Sequence, residues 1–177
     1  MAAYADVPET ATILFTSSPQ LAQRDVIAIR PEGAGSPKPY LDAAWDEMDP
    51  RVSPDGTLAS FTSREQGPWE VWIRDYPVPR GKWKVSTDGG HNSRWSSDGR
   101  FLYYWKSASV AGESLFRVPV DRTSAVIVRA PQFVLTFGFF GGPRNWDLHP
   151  DGKRGMIRHG ELDHRGPASL AASPDRA

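Results

Sequence analysis

The 177-residue chain contains no cysteine, so it can form no disulfide and offers no thiolate to a metal. It also lacks net charge, because 21 Lys and Arg balance 21 Asp and Glu. Nucleic-acid and membrane-surface proteins usually carry an excess of positive charge, so neither partner is expected. No apolar run approaches the ~20 residues that cross a bilayer. The N-terminal MAAYADVPETATILF lacks the basic-then-apolar order of a signal peptide, so the chain as written is expected in the cytoplasm. A sustained helical period of apolar residues is missing too. Catalytic signatures are equally scarce. There is no Gly-x-Ser-x-Gly elbow for a hydrolase, and no Gly-rich phosphate loop, His-Arg-Asp or Asp-Phe-Gly for a kinase. No catalytic residue, no metal and no cofactor are expected.

What the chain has in quantity is turn formers and large aromatics: 16 Gly, 16 Pro, seven Trp and eight Phe. They are organised by a repeat. RVSPDGTLASFTS from Arg51 returns in outline as RWSSDGRFLYYWK and again as LHPDGKRGMIRH. The anchors Asp55-Gly56, Asp98-Gly99 and Asp151-Gly152 are 43 and 53 residues apart. A four-stranded blade takes ~40–45 residues, and the loop FGFFGGPRN before Trp146 accounts for the longer interval. In Ser53-Pro54-Asp55-Gly56, Pro pre-sets φ, Ser and Asp bond the local backbone, and Gly accepts a positive φ. Ser97 replaces the Pro in the second copy and His149 the Ser in the third, while Asp and Gly persist in all three.

Strand-like segments follow each anchor in order. LASFTS, EVWIRDY and KWKVST come after the first, and FLYYWK, SLFRVPV, AVIVRA and FVLTF after the second. β-Branched and aromatic residues dominate them, and Trp72, Arg74 and Tyr76 alternate with Val71, Ile73 and Asp75. Pro119 suggests an outer or edge position for its strand. TILFTSS, DVIAIR and KPYLD read as three strands of an earlier blade without its innermost strand, and RGMIRH follows the third anchor. The expected organisation is an N-terminal extension over 1–11, blades over 12–159 and a disordered tail over 160–177.

The tract from Pro50 to Trp105 carries the most specific pattern. It combines Ser-Pro-Asp-Gly, a Glu-Val-Trp strand and a Trp-bearing outer strand before STDGG. It resembles WD40-like β-propeller repeats of the TolB type, and is especially similar to propeller segments of bacterial serine/threonine kinases. The resemblance implies an all-β fold of propeller blades, about three to four four-stranded antiparallel sheets in an incomplete ring. A closed four-bladed ring, completed by the strand around Trp146, is the alternative. The resemblance further implies a non-catalytic scaffold that binds a protein or peptide, and it leaves open a regulatory portion of a kinase or a peptidase-associated propeller. An open arc exposes blade edges, so self-association is expected.

The candidate binding residues follow from this frame. Arg51, Arg94 and Asp147 each stand four residues before an anchoring Asp, on the expected inner strands. There they could form a mixed-charge rim for a polar ligand or peptide; the plainer alternative is a salt bridge between neighbouring blades. Trp69, beside Gly67-Pro68, is the candidate exposed anchor, whereas Trp72, Trp83 and Trp95 are expected in the core. His159, Glu161, Asp163 and His164 crowd together, but their spacing fits neither helix nor strand, and a polar tail explains them better.

Overall fold

The computed structural model describes residues 13–17, 24–29, 37–78, 80–108, 112–137, 146–151 and 154–157. Among the described residues there are strands, turns and bends but no helix, as the β-branched and aromatic composition requires. The chain divides into two compact units, Met1–Ser93 and Arg94–Ala177.

The first unit holds two antiparallel sheets. β1 (Ile13–Thr16), β2 (Val26–Ile29) and β3 (Lys38–Leu41) form one, in sequence order. β4 (Glu47–Val52), β5 (Leu58–Ser63), β6 (Glu70–Asp75) and β7 (Lys82–Lys84) form the other, again in sequence order. This is the meander that three short connections impose. Every residue of β5 is buried, so the sheet is covered on both faces and no clean polar–apolar alternation appears. Ala59, Phe61 and Trp72 lie on one face and pack with Leu14, Val26 and Leu41 of the first sheet. Leu58, Ser60, Thr62, Val71 and Ile73 lie on the other and are no more than 1% exposed. Burying a Phe or Ile side chain contributes about 1.5–3 kcal/mol, so these two layers are the main stabilising mass of the unit.

β8 (His91–Trp95) begins at the end of the first unit and belongs to the sheet of β9 (Phe101–Ala108) and β10 (Gly112–Asp121). β11 (Ile127–Val128) and β12 (Gln132–Phe137) both pair with β10. With ten residues β10 is long enough to carry both along one edge, β12 against Glu113–Arg117 and β11 against Val120 and Asp121. The sequence suggested an edge strand at Pro119, but β10 is interior. Pro119 is tolerated because it stands where β12 has ended and β11 begins, so its absent N–H costs no ladder bond, while its carbonyl accepts from Arg129 N–H at 3.0 Å. β13 (Trp146–Leu148) pairs with β14 (Gly155–Ile157). Its Trp146 packs edge-to-face on Trp105, ring centroids 5.6 Å apart, in a cluster with Tyr103 and Leu115.

Candidate binding surface

The repeated turns are built alike. Ser53 Oγ donates to Asp55 Oδ1 at 2.6 Å and accepts from Leu58 N–H at 3.0 Å. Gly56 N–H closes the bend onto Ser53 O at 2.8 Å, and Gly56 takes φ +69°. The second turn repeats each contact. Ser96 Oγ donates to Asp98 Oδ1 at 2.6 Å and accepts from Phe101 N–H at 2.9 Å, and Gly99 N–H reaches Ser96 O with φ +66°. Hydrogen bonds from Ser96 and Arg100 hold the Asp98 carboxyl down at about 2. In the third turn, His149 stands in for serine: its Nδ1 accepts from Asp151 N–H at 3.3 Å and lies 3.1 Å from Asp151 Oδ2. Arg154 bridges Asp151 at 2.8 Å. Gly152 lies outside the described residues. The serines, aspartates and His149 thus serve to close hairpins.

Four residues before each anchor, the side chains differ in use. Arg51 Nη1 donates to Pro50 O at 2.8 Å. Arg94, 12% exposed, donates from Nε to Trp146 O at 3.1 Å and spreads its guanidinium over the Trp146 ring at 5.6 Å. Its Nε is 4.0 Å from Asp147 Oδ1, so the structure brings Arg94 and Asp147 together. Asp147 is 78% exposed and can accept a further cationic or N–H donor from outside. Ser97, the residue replacing proline, ties the second turn to the third by donating to Pro150 O at 2.7 Å.

Trp69 is half-buried, with Arg64 stacked 5.2 Å from its ring and its carbonyl accepting from Gly90 N–H at 2.8 Å. One ring face is therefore already covered. Trp72 is buried as expected, but Trp83 and Trp95 are only half-buried, and Arg122 covers Trp95 at 5.7 Å. The acidic–histidine group at His159, Glu161, Asp163 and His164 lies outside the described residues.

Sequence reasoning passed over the buried acids. Glu70, 2% exposed, binds Lys84 at 3.1 Å and accepts a hydrogen bond from the Ser86 hydroxyl, while Val71 N–H donates to that same hydroxyl at 2.8 Å. Glu113 is 7% exposed and accepts from Ser107 at 3.0 Å. Glu70 and Glu113 each stand fifteen residues after an anchoring Asp, so a buried Glu recurs at the same place in the repeat. That spacing is readable in the sequence once the repeats are aligned. Glu47 is also 2% exposed, and burial pushes its carboxyl up to about 7 against the pull of Lys82 and Arg74.

No protein-family model and no curated protein matches this sequence. Solved structures do. TolB from Acinetobacter baumannii matches with a TM-score of 0.63 at 18% identity, over 86% of this chain and 36% of that one. A structure provisionally assigned as TolB from Agrobacterium tumefaciens matches with a TM-score of 0.65 at 15% identity, over 85% of this chain and 50% of that one. A third, provisionally assigned as a 6-phosphogluconolactonase from Bacteroides fragilis, gives 0.55 at 16% identity, over 88% and 46%. This chain therefore spans between about a third and a half of the chains it matches. Identities this low establish the fold, a TolB-like arrangement of propeller blades, and no activity.

Proposed function

We propose that the chain is a non-catalytic interaction module whose blades present turns and inner strands to a protein or peptide partner. The observation that supports this most is the fate of the reactive-looking residues. Ser53 with Asp55, Ser96 with Asp98 and His149 with Asp151 are each engaged in closing a hairpin, with their polar atoms turned onto the local backbone. Asp147, carried on β13 beside Arg94, supplies an exposed charge for recognition, and Trp69 an aromatic edge.

A second reading, hydrolysis of a phosphorylated sugar lactone, is prompted by the Bacteroides fragilis structure with that assignment. It is the weaker one, since Arg51 and Arg94 both direct donors to main-chain carbonyls. The reading as a regulatory portion of a serine/threonine kinase rests on the sequence resemblance over Pro50–Trp105. The test is cross-linked affinity capture from the native cell with the wild-type chain and with Asp147→Lys and Trp69→Ala. A partner captured by the wild type and lost with either variant supports recognition. Capture indifferent to both substitutions, or turnover of 6-phosphogluconolactone by the purified chain, would overturn it.

A further inference from the structure

The two sheets of the first unit are stitched together at the start of β4. Glu47 N–H donates to Arg24 O at 2.7 Å, Arg24 N–H to Asp46 Oδ1 at 2.9 Å, and Asp49 N–H to Thr16 Oγ1 at 3.1 Å. Asp25 N–H donates to Ser17 Oγ at 3.0 Å just beyond them. The Glu47 side chain is closed into this seam, and its Oε2 is buried without a hydrogen-bond partner. A carboxylate oxygen so placed has lost its hydration and gained no donor, a costly state for the charged form and a tolerable one for the neutral acid.

The surrounding charges do not remove the conflict. Lys82 on β7 and Arg74 on β6 favour ionisation, while Glu65 between β5 and β6 and Asp25 ahead of β2 oppose it. Arg24 and Asp46 flank the same stretch, and Arg64 N–H is bound to Asp46 O. Lys82 is already engaged: its ammonium binds Glu65 and sits 4.5 Å from the Trp72 ring centroid and 5.7 Å from that of Phe61. Lys84 is likewise held by Glu70.

We propose that Glu47 is a proton-controlled latch, which as a neutral acid lets the β1–β3 sheet close on β4 and as a carboxylate requires water that enters only when this seam opens. The change is local. It frees the hydrogen bonds of Arg24, Glu47 and Asp49 while the β4–β7 ladder stays intact. Burial places the transition near neutrality, within the range a cell can reach.

Amide hydrogen exchange on the full chain tests this at pH 6.0 and 8.5, after correction for intrinsic exchange rates. Protection of the Arg24, Glu47 and Asp49 amides is expected to fall about tenfold or more at the higher pH, while β9 and β10 amides hold steady. Glu47→Gln, which keeps the shape without the titration, is expected to abolish the difference at the seam. Equal wild-type protection at both pH values, or an undiminished difference in Glu47→Gln, would overturn the proposal. Should that variant fail to fold, carbon-13 NMR of the wild-type Glu47 carboxyl decides: titration near neutrality supports the latch, and titration below pH 5.5 refutes it.

Discussion

Replacing Ser53 with alanine removes one oxygen from the first hairpin turn and leaves everything else in place. That oxygen donates to the Asp55 carboxylate at 2.6 Å and accepts from Leu58 N–H at 3.0 Å. A hydrogen bond to a charged group contributes about 1.5–3 kcal/mol, and a buried N–H left without a partner costs about 1–3 kcal/mol. The two are not fully additive, because Pro54 to Thr57 are exposed and water can reach the Asp55 side of the turn. Leu58 is 1% exposed, so its orphaned amide is out of water's reach. The expected loss is therefore about 2–4 kcal/mol, or a Tm lower by roughly 5–12 °C in a chain of this size. Urea unfolding followed by tryptophan fluorescence reads it directly, since Trp72 is buried in the same sheet. Ser53→Thr keeps the oxygen and should lose less than about 1 kcal/mol. Asp55→Ala should lose the same partner again, so the double variant should be milder than the sum of the two. A Ser53→Ala loss below about 0.5 kcal/mol, with an unchanged urea slope, would refute the assignment of the repeated serine to turn closure.

Glu47→Gln is expected to stabilise the chain by about 1–3 kcal/mol at pH 8. The carboxyl rises from the ordinary 4.5 to about 7 on folding, so its contribution is complete below 4.5 and is lost as pH climbs through 7. A wild-type stability flat between pH 5 and 8 would contradict this. Asp98 works the other way: held down at about 2, it supports the fold above its ordinary 3.8, and that support fades as pH falls toward 2. Asp98→Asn should therefore blunt the acid limb of the stability profile, which acid titration followed by circular dichroism will show. Trp146→Ala should cost about 3–5 kcal/mol, because the ring packs on Trp105 and under Arg94; a smaller loss in urea unfolding would mean that β13 is not docked on that cluster. Exposed sheet edges should drive association above the monomer mass in light scattering, and a compact monomer that melts cooperatively would argue against it.

Much of the architecture was legible because it is written in local chemistry. Ser53, Asp55 and Gly56 bend the chain within six residues, whatever surrounds them, so each copy announces a hairpin. Apolar runs between such turns leave few alternatives to short antiparallel strands. Pro119 was misplaced for an instructive reason: one proline cannot reveal that two different strands share the edge of its own, leaving a gap opposite its missing donor. The candidate rim was legible as positions and not as function, since the same spacing permits a solvent-facing charge at Asp147 and a guanidinium laid over an indole at Arg94.

The amino-acid sequence by itself determined the hairpins, their order and the all-β class, because turn geometry and strand preference act between residues close along the chain. Only the tertiary structure decided that Arg94 lies over Trp146, that β11 and β12 share one strand, and that Glu47 is shut away from water. Burial and charge pairing depend on which distant segments come together, and no local pattern encodes that.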